Sequence, residues 1–522
     1  MSVRLATLLD GLDVRLLHGT PQVEIASIQH DSRRVGPGDC FVCITGLKHD
    51  GHDFISQAVA AGARALVLEA PSSPGQSLGG ATVVQVPDAR RALAHLACRL
   101  HAHPTRRLTL IGVTGTNGKT TSTYLLEAIL AAAGRRTGVV GTVSYRFAGA
   151  GLPAERTTPE ANDLQTLLRR MADQGADAVV MEVSSHSLAF HRVDGCEFDA
   201  GLFTNLTQDH LDFHRTFENY LRAKARLFEG LSVDRTKPGE AVAVLNADDR
   251  NAPFLRNITR ARVLTYGLTP GADVTPRRHQ VGWDGIRLDL RTPWGDLAVA
   301  SPLVGEHNVA NILGCVTLAR HLGVPAEAVA DGVRRLERVP GRFEKVDAGQ
   351  SFQVVVDYAH TPDALERVLR TARAGTAGRV LVVFGCGGDR DRGKRPLMGE
   401  AAARLGDLAI LTSDNPRSED SERILDEIEV GARKACQPPR AYGRIADRRA
   451  AIDEALRRAA PGDLVLIAGK GHEATQIIGN TVLPFDDVQV ARALLAQRGF
   501  VHPGVMAQGS GVGALAAPIR DP

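Results

Sequence analysis

The densest chemistry in this chain lies in LTLIGVTGTNGKTTSTYLLE, which starts at Leu108. An apolar run leads into Gly115, Thr116, Asn117, Gly118, Lys119, Thr120 and Thr121, and a helical pattern follows. A strand that feeds a glycine-rich turn opening a helix gathers bare backbone N–H groups and the positive helix end at one point, which suits a phosphate anion. The glycines let the backbone come close without a side chain in the way. Lys119 can reach the outer phosphates, and the Thr120 hydroxyl can ligate Mg²⁺. The strict G-x-x-x-x-G-K-[ST] spacing fails at Val113; the pattern present is G-x-x-G-T-N-G-K-T from Gly112. Such a loop serves a GTPase, a kinase or a motor, and the lack of an N-K-x-D guanine-reading motif counts against the first.

Further candidates follow along the chain. Glu182 ends the apolar run VVME, and a carboxylate at the carboxyl end of a parallel strand lies where ligands bind. It is a candidate second ligand of the magnesium. Asp209, His210, Asp212 and His214 cluster in TQDHLDFH. Two of them could bind metal or phosphate, while the others could cap the next helix. That helix, FENYLRAKARLFEGL, is amphipathic and carries Lys224, which by itself reads as a solvated surface charge. Cys40 and Cys43 form a lone C-x-x-C with no second ligand pair nearby, so ordinary buried thiols are expected.

These side chains need a scaffold. The chain has 522 residues, enough for about three domains. A net charge of +3 is too balanced for a dedicated nucleic-acid or polybasic membrane binder. No apolar run is long enough to span a bilayer, and the start MSVRLATLLDGLDVRLL lacks the unbroken apolar stretch of a secretory signal. Seven scattered cysteines point to a reducing, cytoplasmic setting rather than a disulfide framework. Three blocks are expected, 1–105, 106–340 and 341–502, with a disordered tail at 503–522. The first mixes short strands (GDCFVCITG, ARALVLE, ATVVQV) with a helix through DARRALAHLACRLHAH, which Pro104 follows. In the third, strands FQVVVDYA, RVLVVFGCG, LAILTSD and DLVLIAGK alternate with helical patterns, as in βαβ units. The fold class is α/β with mostly parallel sheets.

Taken in order, GTNGKTT (115–121), MEVSSHSL (181–188), TNLTQDHLDFH (204–214), GEHNVANILG (305–314), VPGRFE (339–344), VDYAHTPDAL (356–365), FGCGGDRDRGKRPLMG (384–399), DNPR (414–417) and GKGHE (469–473) resemble the Mur ligase family. These are ATP-dependent ligases that add amino acids to the UDP-muramoyl peptide of peptidoglycan. The resemblance extends to about residue 502. It implies three domains: an N-terminal one for the UDP moiety, a central P-loop ATPase, and a C-terminal Rossmann-like domain that brings the amino acid.

The resemblance also assigns roles by position. Ser32 with Leu47, Lys48 and His49 would contact the uridine end. Thr157, Thr158, Ser184, Phe190 and Arg192 would hold the muramoyl peptide. Gly115 to Thr121, Asn308, Arg342 and Asp357 would hold ATP. Lys224 matches a lysine that the family carbamylates; a carbamate is anionic and can ligate a second Mg²⁺, joined by His210. Thr120 and Glu182 would hold the first ion. Arg390, Asp414, Asn415, Pro416, Arg417, Gly469 and Glu473 match the amino-acid pocket. There Arg417 can grip a distal carboxylate bidentately while Glu473 takes the distal ammonium, which favours meso-diaminopimelate over lysine. Two positions depart from the pattern: Phe190 stands where some relatives carry glutamine, and Arg156 where some carry asparagine.

The implied reaction joins diaminopimelate to the D-glutamate side-chain carboxylate of UDP-N-acetylmuramoyl-L-alanyl-D-glutamate through an acyl phosphate, with ATP and Mg²⁺. Lys119, Glu182, His210 and Lys224 are the expected catalytic set. The expected partners are these small molecules alone, for a monomer that binds no nucleic acid and inserts in no membrane. A lysine-adding sibling has no use for Arg417, and a folylpolyglutamate synthase has no UDP-binding first block. A slow ATP-hydrolysing regulator has no reason to keep Arg390, DNPR and GKGHE.

Overall fold

The structure, a computed structural model, describes residues 2–46, 49–70, 78–232 and 235–500. Leu47, Lys48 and the tail at 503–522 lie outside the described residues. The chain divides into two compact units, Met1–Glu337 and Arg338–Pro522.

The first unit opens with a five-stranded sheet in the order Arg15–His18, Thr82–Gln85, Ala65–Leu68, Cys40–Val42, Ile28–Gln29. It is parallel apart from the first pair. Cys40–Val42 and Ala65–Leu68 are buried at every position, which explains their unbroken apolar sequences. The expected helix runs Ala89–Leu100, with the Asp88 carboxylate capping it through Arg91 N. Cys40 and Cys43 fall in different apolar clusters on this sheet, and both are free thiols. Burial pushes the Cys40 thiol up to about 12, so it stays protonated.

The central sheet has eight strands: Ala150–Pro153, Ser144–Phe147, Thr137–Val140, Ala178–Glu182, Thr109–Thr114, Ala200–Phe203, Val242–Asn246 and Arg262–Tyr266, in that order. The last six run parallel, and a hairpin extends one edge antiparallel. Thr109–Thr114 pairs on both sides, with Ala178–Glu182 and Ala200–Phe203. Glu182 is therefore registered opposite Val113, at the mouth of the glycine-rich turn. A small antiparallel sheet (Thr275–Gly282, Gly285–Arg291, Leu297–Ser301) follows, then the buried helix Glu306–His321.

The second unit carries a six-stranded sheet in the order Glu344–Lys345, Gln353–Asp357, Leu464–Ala468, Val380–Phe384, Leu408–Leu411, Ala441–Arg444. All but the first pair are parallel, and the four strands read from sequence are among them. A buried ion pair, Arg448 Nη2 to Asp487 Oδ2 at 2.7 Å, joins the first residues of helices Arg448–Arg458 and Asp487–Gln497. The same guanidinium donates to Ala468 O at 3.0 Å, at the end of the strand Leu464–Ala468.

Candidate active site

The turn after Thr109–Thr114 enters helix Lys119–Ala132 through Gly115 (φ +150°) and Gly118 (φ +87°). Both glycines are required by space as well as by φ. A Cβ on Gly115 would stand 1.9 Å from Thr204 Oγ1, and one on Gly118 would stand 2.3 Å from Asn311 Oδ1. The loop is thus wedged between the strand end Ala200–Phe203 and the helix Glu306–His321. Asn311 Nδ2 donates to Asn308 Oδ1 at 2.9 Å, and Asn308 Nδ2 donates to Val304 O at 2.8 Å, which places Asn308 one side chain behind the loop. Asn311 lies in the motif HNVANILG, yet its support of Gly118 depends on a packing that sequence spacing does not show.

Two lysines converge on this turn. Lys119 Nζ donates to Gly115 O and Thr116 O, each at 2.8 Å. Lys224 Nζ donates to the same Gly115 O at 2.8 Å, from the helix Phe217–Glu229. The surface reading of Lys224 is overturned: it is only 1 % exposed, and its amine sits 4.6 Å from the Tyr220 ring centre. It occupies the apolar stripe of its helix. Burial, with Lys119 close by, holds its ammonium well below the usual lysine range.

On the other side, Thr120 Oγ1 donates to Glu182 Oε1 at 3.0 Å. Glu182 also accepts from Thr142 N at 2.9 Å and from Thr142 Oγ1 at 3.0 Å. A buried carboxylate beside a hydroxyl at a phosphate loop is an all-oxygen donor set, and Mg²⁺ needs only one or two such groups besides water and phosphate. The residues fit that ion. Thr142 escaped the sequence reading; its signal was only a polar residue after a strand, GTVS at 141–144. Among the described residues no cluster of three His, Cys, Asp or Glu side chains forms a metal cage.

No member of the Asp209–His214 cluster caps the next helix, contrary to the sequence expectation: Thr216 does so, its Oγ1 accepting from Asn219 N at 3.1 Å. His210, in left-handed backbone at φ +54°, lies 3.3 Å from Asp209 and faces His186 edge-on. His210 and Lys224 flank the same Tyr220 ring. His214 is buried and bonded to Ser185 Oγ at 2.9 Å, a structural role.

The muramoyl-peptide candidates gather around Glu182. Thr157 Oγ1 lies 3.1 Å from Thr142 Oγ1, and Thr158 Oγ1 donates to Glu182 O at 2.8 Å. Ser184 caps the short helix Ser185–Ala189 through Ser187 N, Phe190 ends that helix, and Arg192 Nη1 donates to Thr158 O at 3.2 Å. In the first sheet's block, Ser32 Oγ donates to Gln57 Oε1 at 3.1 Å, and His49 is exposed beside Phe54.

The second unit places its candidates by itself. Arg417 Nη1 and Arg390 Cγ both border Gly387, where a Cβ would lie 2.9 and 3.8 Å from them. Arg417, at φ +53°, donates to Gly388 O at 2.8 Å, while Pro416 O abuts Gly388. Opposite in charge, Asp414 packs on Gly469, and Glu473 accepts from Asn415 Nδ2 at 2.7 Å. The fully buried Lys470 also reaches Glu473, at 3.3 Å. Burial and Asp414 raise the Glu473 carboxyl. Asp357 accepts from Phe343 N at 2.7 Å and Ala359 N at 2.8 Å, and Arg342 lies 4.5 Å over the Tyr358 ring.

Comparison with known proteins matches three family descriptions in sequence: Mur ligase family, catalytic domain, over residues 24–101; Mur ligase middle domain over 113–319; and Mur ligase, glutamate ligase domain, over 341–471. The chain is 46 % identical over 496 residues to a UDP-N-acetylmuramoyl-L-alanyl-D-glutamate--2,6-diaminopimelate ligase of Geobacillus thermodenitrificans (strain NG80-2), covering 95 % of this chain and all of the relative. It is 47 % identical over 482 residues to the ligase of the same name from Geobacter metallireducens (strain ATCC 53774 / DSM 7210 / GS-15), covering 90 % and 94 %. A solved structure of a ligase with that name superposes with a TM-score of 0.67 at 34 % identity, covering 96 % of this chain and 100 % of that one. The MurF ligase of Thermotoga maritima in complex with ADP shares the fold, with a TM-score of 0.60 at 20 % identity over 90 % of this chain and 98 % of that one.

Proposed function

The chain belongs to the Mur ligase family, and from that membership we propose how its residues carry out the reaction. The chain is an ATP-dependent ligase that adds 2,6-diaminopimelate to the D-glutamate side-chain carboxylate of UDP-N-acetylmuramoyl-L-alanyl-D-glutamate in peptidoglycan synthesis. The γ-phosphoryl of ATP moves to that carboxylate, giving an acyl phosphate and ADP. A free amine of diaminopimelate then attacks the carbonyl carbon, phosphate leaves, and the amine loses its proton. Phosphoryl transfer needs positioning and charge neutralisation more than a protein nucleophile. Gly115 to Thr121 cradle the phosphates, and Lys119 exchanges its loop carbonyls for phosphate oxygens.

Thr120 and Glu182 would hold one Mg²⁺, with His210 and a carbamate on Lys224 for a second. When bound, these ions neutralise the transferring phosphoryl group. The depressed Lys224 ammonium supports the carbamate: the neutral amine is the form that adds CO₂, releasing a proton. Thr157, Thr158, Ser184, Phe190 and Arg192 receive the dipeptide end, and Ser32 and His49, with Leu47 and Lys48, receive the uridine end. Asn308, Arg342 and Asp357 complete the nucleotide contacts. We keep 1–105, 106–340 and 341–502 as the working domains of a cytoplasmic monomer, and take meso-diaminopimelate as the amino acid it adds. Among the described residues no helix is long and apolar enough to cross a membrane.

The amino-acid assignment is carried by one observation: Arg390 and Arg417 border Gly387 in the same unit as the carboxylates of Asp414 and Glu473. That charge layout suits an amino acid with both a carboxylate and an ammonium at its far end. A panel of amino acids with ATP and the UDP-muramoyl dipeptide, read by phosphate release, tests it. Diaminopimelate should exceed lysine by orders of magnitude, and Arg417→Ala should cut that preference by about 10- to 100-fold. A wild-type preference for lysine overturns the assignment.

A further inference from the structure

The side chain of Lys470 is completely shielded from solvent, although it lies between Gly469 and Glu473 of the amino-acid pocket. An ammonium taken out of water is costly unless it is paired and hydrogen-bonded. Here its three N–H donors meet three acceptors: Thr475 O at 2.5 Å, Glu473 Oε2 at 3.3 Å and Asn415 Oδ1 at 3.4 Å. The backbone sets this up. The strand Leu464–Ala468 ends in a turn, which closes as Glu473 N donates to Lys470 O at 3.0 Å. Gly471 makes the turn at φ +54°, where a Cβ would lie 2.7 Å from Tyr358 Cβ. The strand Thr475–Ile478 then begins at the carbonyl that takes the ammonium.

Lys470 also decides how Asn415 is turned. Both Lys470 Nζ and Ile477 N donate to Asn415 Oδ1, the second at 2.9 Å. Donors can face only the oxygen of that amide, so its Nδ2 is left to point at Glu473 Oε2, 2.7 Å away. Glu473 needs such a clamp. Burial and Asp414 push its carboxyl up, while Lys470 and Asn415 pull it down. Arg417 and Arg448 are the other charged groups within electrostatic reach, and Arg448 is already paired with Asp487. Among the described residues, Lys470 is the cation that touches the Glu473 carboxylate. Both bonds to that carboxylate fall on Oε2, and 31 % of the side chain stays open to solvent.

We propose that Lys470 is a positioning residue for the amino-acid substrate: it locks Glu473 Oε2, directly and through Asn415, and so presents Oε1 as an ionised acceptor for the distal ammonium of diaminopimelate. The proposal rests on the substrate reading above and adds the residue that orients and charges the acid of that pocket. With a neutral residue at 470, Glu473 would lie beside Asp414 with no cation in contact and would take up a proton. A protonated carboxyl holds an ammonium far less tightly. The distal ammonium does not react, so its contact is equally strong before and during amide formation. Losing that contact raises KM and spares kcat.

The test uses the full chain with Lys470→Met. KM for diaminopimelate should rise roughly 10- to 100-fold, with kcat and the KM of ATP little changed. 2-Aminopimelate keeps the distal carboxylate and lacks the distal ammonium. The substitution should leave its KM unchanged, or, if it is not ligated, its inhibition constant against diaminopimelate. Glu473→Gln should carry a diaminopimelate penalty of the same size, and the double variant should add nothing to it. Lys470→Gln can still donate to Thr475 O; it stands in if the methionine variant does not fold and should show the same pattern. Equal losses on both amino acids overturn the proposal, since Lys470 would then merely hold the turn together. An unchanged KM for diaminopimelate overturns it too, as do penalties that add in the double variant. A wild type that never ligates diaminopimelate would instead sink the substrate reading itself.

Discussion

Lys224 shows how a single position changes meaning once its surroundings are known. On an amphipathic helix a lysine is ordinarily a solvated charge, and only the order of nine motifs argued otherwise. The fold buries it behind the phosphate loop, where its ammonium is disfavoured. Lys224→Ala should lower turnover by at least about 100-fold while ATP affinity changes little. In the wild type, activity should fall as bicarbonate is stripped from the buffer and recover on its return; full activity in bicarbonate-free buffer would refute the carbamate. His472 makes a second prediction at this scale. Burial and the nearby Arg342 push its imidazole down to about 3. Its folded pKa is thus depressed below the unfolded value near 6.5, so the unfolded chain binds the extra proton as pH falls through that window. Folding free energy should drop by about 2 kcal/mol between pH 7 and pH 5 from this group alone, a size set by the unfolded-state titration. Urea unfolding of the wild type and His472→Asn at the two pH values measures it, and the variant should lose that part of the slope.

The elements were legible in proportion to how completely they are buried. The runs FVC, ALVL, LTLIGV, VVME and VLVVF read as strands because parallel strands covered on both faces leave no polar alternation. The edge strands, such as Arg15–His18 and Ala150–Pro153, are exposed throughout and gave no such signal. The phosphate loop was legible because its glycines answer a local backbone need. Its supports, Thr142, Thr204 and Asn311, were not, since each comes from a distant segment that only the sheet order brings near. Gly115→Ala tests this element directly. With φ at +150° and Thr204 Oγ1 in the way, the loop must shift, so ATP binding should weaken by at least about tenfold in calorimetry. Unaltered affinity would mean that the loop tolerates a displacement the packing argues against.

At the scale of the whole molecule, chemistry is divided between two compact units, one holding the phosphate loop and the other the DNPR and GKGHE segments. Motif order along the chain revealed both sets of residues. The ties that hold each unit together were hidden, because a buried ion pair has no local pattern. Arg448 and Asp487 are both fully shielded from solvent. Removing one partner strands the other charge, so Arg448→Met should cost about 3–5 kcal/mol of unfolding free energy. Hydrogen exchange should report it as faster exchange in the strand Leu464–Ala468, which that guanidinium also contacts.

The carbonyl of Gly115, shared by two lysine amines, has a further consequence. Those two amines brace the turn, one from the helix the turn opens and one from Phe217–Glu229. ATP arrives at a cradle already pretensioned and must swap partners rather than build a nest from slack chain. Its binding heat should therefore be modest, and the loop should be nearly as ordered empty as full.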